Sequence, residues 1–315
     1  MLMLSKKLIL TFCFALYFLT QNALASFDKL ADFGANPGEL LASYYSNSPA
    51  TENLVVLLHG CVQNGEQFAE QSGFLALAKR HDFTLLVPQQ IKSNNIKSCF
   101  NWFSPQDIQK NSGENLSLKN MALHLKTRMK AKNVYIAGLS AGGAMASVML
   151  VNYPKMFSAG AIISGIPYPC ADNLIKAISC MRTGPSQSAT ELTALVKQSN
   201  ITPQQWPNLS IWTGKQDKVV HPLNSVRLAK HWSMLTNAIQ NPEIEIQKNY
   251  QVSRWKNQKN KMRVELIEIE NMGHGIAVDP LLEDGGTTAP FLLKTTISAA
   301  INIIKFWEID NTNNK

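Results

Sequence analysis

The stretch VYIAGLSAGGAM, residues 134–145, joins an apolar run to a Gly-x-Ser-x-Gly motif and then to small residues. The pattern predicts a strand over 133–138, a sharp turn at Ser140 and a helix running to Pro154. A turn this tight brings neighbouring backbone close, and a Cβ at either flanking position would collide with it. Gly143 and Ala144 extend the small-residue run, so the helix can start close against the strand. A structural glycine turn gives the same letters, so the rest of the chain has to supply the partners a nucleophilic serine needs.

Outward from this motif, short apolar strands alternate with helical segments. NLVVLLHG (53–60) and FTLLVP (83–88) read as buried parallel strands. Residues 66–81 carry helical spacing. So do 117–130, where Leu118, Met121, Leu125 and Met129 share one side. Between these, residues 89–115 form a long polar loop containing CFNWFSP, and long loops in compact domains are usually functional. FSAGAIISG (157–165) and NLSIWTG (208–214) are further strands, and NSVRLAKHWSML (224–235) is a helix. RVELIEIE (263–270) ends the strands, and residues 291–307 form a final amphipathic helix. Residues 166–207 break the rhythm with Pro, Cys and Ser/Thr clusters around one helix, TELTALVKQ, and read as a cap insertion. The alternation predicts one mostly parallel, doubly wound α/β sheet, with residues 26–315 as a single domain.

The chain has 315 residues, 45% apolar and 17% charged, which suits a globular protein and excludes a disordered one. Its first 25 residues stand apart. Lys6 and Lys7 precede an apolar run from Leu8 to Leu19, and Ala23-Leu24-Ala25 closes it. That is the order of a cleaved secretory signal, and the run is short of the roughly 20 residues a membrane span needs. No membrane anchor is therefore expected. Export leaves Cys61, Cys99, Cys170 and Cys180 in an oxidising compartment. Four cysteines allow three pairings. The closeness of Cys170 and Cys180 suggests one local bridge, leaving Cys61 with Cys99; four buried thiols are the alternative. No Cys-x-x-Cys or paired Cys/His spacing points to a metal. The formal net charge is +8, of which the two signal lysines supply two. The densest basic group, RWKNQKNKMR (254–263), reads as a solvated surface loop. No groove-reading motif accompanies it, so no nucleic acid partner is expected.

A serine hydroxyl needs a base to take its proton. Of the six histidines, His81, His124 and His231 fall at or within helices, His59 precedes Ser140, and His221 adjoins a helix start. His274 lies in a Gly-flanked loop just after the last predicted strand, and it fits the order Ser, acid, His. Asp217, three residues past Gly214, is the matching acid; Asp172 in the cap is the weaker rival, and Asp279 and Asp284 come after His274. The two N–H donors for an oxyanion are expected from Ala141, after the serine, and from Cys61, in the loop after an early strand.

LLHGCVQNGEQFAEQSGF, CFNWFSP, GLSAGGAMASVML, ISGIPYPC, TGKQDKVVHP and NMGHGIAVDP together resemble the secreted polyhydroxybutyrate depolymerase-type esterases, from about residue 35 to 307. The resemblance implies an α/β-hydrolase fold, a Ser140–Asp217–His274 triad, Cys61 at the oxyanion hole, and no metal or cofactor. It also implies that Trp102 lines the substrate cleft, where the alternative is a tryptophan of the core. The expected substrates are 3-hydroxybutyrate esters, as polymer or oligomer. The sequence shows no linker and separate polymer-binding domain, which moves the expectation towards oligomers or soluble esters. Feruloyl or acetyl esters of plant polysaccharides are the alternative, a peptidase is a poorer third, and a non-catalytic secreted binding protein is the remote one.

Overall fold

The computed structural model describes residues 27–199 and 205–310. The expected signal segment with Cys13, and residues 200–204 of the expected cap, lie outside the described residues. The chain opens with β1 (Asp28–Lys29), β2 (Leu41–Tyr45) and β3 (Asn53–Leu58). Then come α1 (Gly65–Gln71), α2 (Phe74–His81), β4 (Thr84–Gln89), α3 (Pro105–Ile108) and α4 (Gly113–Arg128). The turn motif sits between β5 (Asn133–Leu139) and α5 (Ala141–Asn152). Next are β6 (Ala159–Ile163), α6 (Leu174–Thr183), α7 (Ala189–Ser199), β7 (Asn208–Gly214) and α8 (Leu223–Leu235). The chain closes with β8 (Glu243–Ile246), β9 (Tyr250–Lys256), β10 (Met262–Ile269), β11 (Ile276–Val278), β12 (Leu292–Lys294) and α9 (Ala299–Phe306).

One ten-stranded sheet organises these elements in the order β1-β2-β4-β3-β5-β6-β7-β10-β9-β8. The run β4-β3-β5-β6-β7-β10 is parallel throughout, and antiparallel strands extend it at both edges. Every residue of β3 is buried. Leu54, Val56 and Leu58 face one apolar cluster, shared with Leu118 and Met121 of α4, Met145 of α5 and Trp232 of α8. Val55 and Leu57 face the other, with Phe68 of α1, Phe74 of α2 and Ile303 of α9. The period-two alternation of a strand thus feeds two cores, one on each face, which is the doubly wound arrangement of an α/β-hydrolase. It also brings the loops after β3, β5, β7 and β10 to one end of the sheet, where a site in such folds forms.

Several local expectations are corrected. The helical spacing over 66–81 is two helices, because Ser72 and Gly73 break it and Gly73 takes φ 91°. The loop before α4 contains the one-turn α3, and α4 begins at Gly113 rather than 117. Residues 166–207, expected to hold one helix, carry two; α6 turns only the small Ala177 and Cys180 fully inward and leaves Ile175 exposed, so its apolar pattern is weak. β10 is not the last strand. Leu292–Lys294 pairs in parallel with Ile276–Val278, so the final helix starts only at Ala299, capped by the Ser298 side chain. The basic stretch 254–263 is a hairpin rather than a loop. Arg254 and Lys256 on β9 pair with Glu245 and Glu243 of β8 at 2.5 and 2.6 Å, and Arg263 on β10 donates to the Trp206 carbonyl.

The bridges are Cys61–Cys99 and Cys170–Cys180. The first ties the loop after β3 to the long loop before α3, and the second ties the segment before α6 to α6 itself. Among the described residues, no helix is long and apolar enough to cross a membrane.

Candidate active site

Ser140 sits between β5 and α5 with φ 56° and ψ −117°, a conformation that costs a non-glycine residue on the order of 1–3 kcal/mol and persists only where the surroundings enforce it. The enforcement is visible. The Ser140 N–H donates to the Ile163 carbonyl of β6 at 2.9 Å, and the Ala144 N–H donates to the Ser140 carbonyl at 2.9 Å. A Cβ on Gly138 would lie 2.3 Å from the Gly142 carbonyl oxygen, and one on Gly142 would lie 2.4 Å from that of Leu58. Both glycines are needed for α5 to turn back onto the ends of β5 and β3.

His274 follows β10 and Asp217 follows β7, which are neighbouring parallel strands. Their loops are stitched together by Lys215 N–H to the Ile269 carbonyl and Gln216 N–H to the Met272 carbonyl, each 2.9 Å, and by the Lys215–Glu270 ion pair. The close approach depends on Gly214, where a Cβ would fall 2.2 Å from the Met272 carbonyl oxygen. The result is a continuous chain of contacts. His274 Nε2 lies 2.9 Å from Ser140 Oγ, and His274 Nδ1 lies 2.8 Å from Asp217 Oδ2. Asp217 Oδ1 accepts from the N–H groups of Val219 and Val220 at 2.8 and 2.9 Å. The Asp217 side chain is 0% exposed, so its orientation is fixed by hydrogen bonds and not by solvent. The ring of Phe291 stands edge-on to that of His274, centroids 6.1 Å apart. Phe291 holds φ 66° while its carbonyl accepts from the Ile276 N–H. Its position is invisible in the sequence, where it reads as the start of a helix.

The rival groups are engaged elsewhere. Asp172 pairs with Lys176 on the surface, Asp279 accepts from the Leu281 N–H, and Asp284 pairs with Arg80. His221 Nδ1 accepts from the Leu223 N–H at the start of α8, and His231 meets Thr193 Oγ1 in the interior.

Ala141 is the first residue of α5, where N–H groups have no intrahelical acceptor. The Gly60–Cys61 peptide approaches Ser140 from the other side; a Cβ on Gly60 would lie 3.5 Å from that of Ser140. His59 is fully buried behind this peptide, with Nδ1 2.7 Å from the Gly60 carbonyl oxygen and Nε2 3.2 Å from the Gln90 N–H. Both contacts are satisfied by one neutral tautomer, in which Nδ1–H donates and Nε2 accepts. Burial keeps the ring neutral by lowering its pKa to about 4. In a trans peptide the N–H opposes the C=O, so with the Gly60 carbonyl turned to His59, the Cys61 N–H points away from it. No group among the described residues accepts from the Cys61 N–H. Trp102 is 9% exposed and packs edge-on against Phe103 within the core cluster that also contains Ala141 and Ile166.

This geometry can be set beside known proteins. A family model described as esterase PHB depolymerase matches residues 41–243. The chain is 33% identical to poly(3-hydroxyalkanoate) depolymerase C of Paucimonas lemoignei over 299 residues, 92% of this chain and 72% of that protein. It is 25% identical to acetylxylan esterase A of Aspergillus oryzae over 228 residues, 66% of this chain and 70% of that protein. It is 29% identical to feruloyl esterase B of Talaromyces stipitatus over 210 residues, 62% of this chain and 57% of that protein. Among solved structures, the acetyl xylan esterase from Aspergillus awamori superposes with a TM-score of 0.75 at 20% identity, over 90% of this chain and 99% of that one, a likeness of fold.

Proposed function

The chain belongs to the esterase PHB depolymerase family and is a carboxylic ester hydrolase; from that premise we propose that it is a secreted serine esterase cleaving 3-hydroxybutyrate esters or oligomers through Ser140, His274 and Asp217. The observation that carries the reading is the run of contacts from Ser140 Oγ through the His274 ring to Asp217, at 2.9 and 2.8 Å.

In this reading His274 holds its Nδ1–H towards Asp217 and accepts the Ser140 proton on Nε2 as Oγ attacks the ester carbonyl carbon. The carbonyl π pair moves to oxygen, where the N–H groups of Cys61 and Ala141 stabilise it. Collapse of the tetrahedral intermediate breaks the bond to the alkoxide, which takes the proton from His274 and leaves as the alcohol. Water then enters, gives a proton to His274 and attacks the acyl-enzyme. The second collapse releases the carboxylic acid and returns the proton to Ser140. Asp217 stays ionised throughout and steadies the imidazolium.

The hydroxyalkanoate substrate is supported by the depolymerase similarity, which covers more of the chain than the polysaccharide esterases do. Secretion is supported by the charge and apolar pattern of residues 1–25 and by the two disulfides. Acetyl or feruloyl esters of polysaccharides are the second reading, favoured by the acetylxylan and feruloyl esterase relatives. A panel of hydroxybutyrate oligomers, amorphous polymer, methyl ferulate and acetylated xylan separates them. The highest kcat/KM is expected on the oligomers. A preference for acetylated xylan or ferulate would transfer the assignment to the second reading, and activity surviving in Ser140→Ala would remove Ser140 from the mechanism.

A further inference from the structure

Behind the site lies a buried polar group the reaction does not use. Glu114, in the first turn of α4, is 1% exposed. One carboxylate oxygen accepts from Gln90 Nε2 at 2.5 Å, and the other accepts from the Asn101 N–H at 2.9 Å. Gln90, just past the end of β4, is itself 1% exposed, and its Oε1 accepts from the Ile91 N–H and from Asn94 Nδ2. Its backbone N–H is the group that donates to His59 Nε2, and His59 in turn holds the Gly60 carbonyl. Asn101 adjoins Trp102 and receives a hydrogen bond from Asn95 on its side-chain oxygen.

The carboxylate therefore stands where two paths meet. One runs through Gln90 and His59 to the Gly60–Cys61 peptide beside Ser140. The other runs through Asn101 into the loop that carries Cys99 and Trp102. The Cys61–Cys99 bridge closes the circuit covalently. A buried carboxylate is costly unless donors surround it, so its presence here calls for a reason. An apolar residue would fill the space without desolvating a charge, but it would release both loops.

We propose that Glu114 is a positioning residue for ester hydrolysis, holding the Gly60–Cys61 peptide through Gln90 and His59 while anchoring the Trp102 loop through Asn101. The inference rests on the serine esterase reading above. Its ionisable surroundings are sparse. Asp107 of α3 accepts from the Glu114 N–H at 3.3 Å, and His59 lies across Gln90. Gln90 and Asn101 present neutral groups. Burial and, after it, the Asp107 charge push the Glu114 pKa up, while the Asn101 and Gln90 donors pull it down; the balance lies at about 8. Ionisation strengthens both donor contacts, so the network tightens as the group loses its proton.

The test compares wild type with Glu114→Gln on p-nitrophenyl butyrate, measuring kcat and KM across pH 5.5–9.5 alongside the melting temperature. The glutamine amide must face one of two N–H donors with an N–H of its own. The expected result is a fall of about tenfold in kcat with KM within about twofold, because an oxyanion donor acts in the transition state. An alkaline rise in kcat near pH 8, present in wild type, should vanish in the variant. Gln90→Met, which breaks the same path from the other side, should reproduce the loss in kcat and serves if Glu114→Gln does not fold. Wild-type kcat and an unchanged pH profile in the folded variants would overturn the inference. The esterase reading fails differently: wild type inert towards the ester, or Ser140→Ala as active as wild type.

Discussion

Asp217 grips His274 with one oxygen and its own loop with the other. Oδ2 lies 2.8 Å from His274 Nδ1, while Oδ1 accepts from the Val219 and Val220 N–H groups. This division fixes what an amide at position 217 must do. In Asp217→Asn the side-chain oxygen stays with the two N–H donors, and the NH2 group turns to His274. The imidazole must then accept on Nδ1 and carry its proton on Nε2, where it cannot receive one from Ser140. A fall in kcat on the order of 10⁴-fold is expected, with folding retained. Stopped assays of p-nitrophenyl butyrate hydrolysis beside a circular dichroism spectrum check it; activity within tenfold of wild type would remove Asp217 from its proposed role.

The spacing between the two loops is set at Gly214. Any Cβ there meets the Met272 carbonyl oxygen at 2.2 Å, so Gly214→Ala has to push the His274 loop away from the Asp217 loop. Overpacking of this kind costs about 1–3 kcal/mol. The expected outcome is a lowered melting temperature together with a kcat reduced by about tenfold or more, since small displacements of catalytic groups are expensive. Kinetics of the folded fraction at low temperature read the second effect apart from the first. Unchanged kcat there would show that the loops tolerate the shift.

The central strands and the three residues of the proposed triad are legible as sequence for one reason. Strands buried on both faces, such as Asn53–Leu58, leave apolar runs, and Ser140 and Asp217 each follow the end of such a run, while His274 follows the alternating pattern of β10. The edge strands lack that signal. Every residue of β8 is exposed, and its partner β9 carries the basic residues that read as a loop. Phe291 is misread because its apolar neighbours serve a two-stranded sheet, not a helix face. Glu114 is silent for a different reason. The sequence places it in the polar loop over 89–115, where a glutamate reads as a solvated charge. Only the packing of α4 against the end of β4 turns it inward, where it meets Gln90 from 24 residues earlier.

The two disulfides have similar stabilising power but different relations to the site. In the chain-entropy description, bridging 38 residues is worth about 4 kcal/mol and bridging 10 about 3 kcal/mol. Cys61 contributes a proposed oxyanion N–H and is pinned by its bond to Cys99, whereas Cys170–Cys180 ties α6 to the segment just before it. Paired Cys61→Ser and Cys99→Ser changes should lower the melting temperature and also cut kcat by on the order of 10- to 100-fold. Paired Cys170→Ser and Cys180→Ser changes should lower the melting temperature while kcat stays within about threefold. Melting curves and initial rates on both double variants make the comparison. Equal loss of kcat in the two would mean that Cys61–Cys99 holds the fold without tuning the donor.

Four buried groups shape how stability depends on pH. Burial pushes the imidazole pKa values of His59 and His231 down, to about 4 and about 3, from an ordinary 6.5. An imidazole that stays neutral in the fold but protonates when unfolded stabilises the native state above pH 6.5, and this is lost as pH falls towards 4 and 3. Burial pushes the carboxyl pKa values of Glu114 and Glu265 up, to about 8 and about 7, from 4.5. Their contribution is complete below pH 4.5 and is lost as pH rises through 7 to 8. Each group changes stability by about 1.4 kcal/mol per pH unit inside its window. Between pH 4.5 and 6.5 the two histidines and the two glutamates oppose each other, so the melting temperature should form a plateau there. It should fall on both sides, in acid through the histidines and in alkali through the glutamates. Glu265→Gln should flatten part of the alkaline branch, because the amide oxygen can still accept from Ser210 Oγ, which lies 2.7 Å from Glu265 Oε1. Melting curves at half-unit steps from pH 3 to 9 check this, and a melting temperature that keeps rising from pH 6.5 to 8 would contradict it.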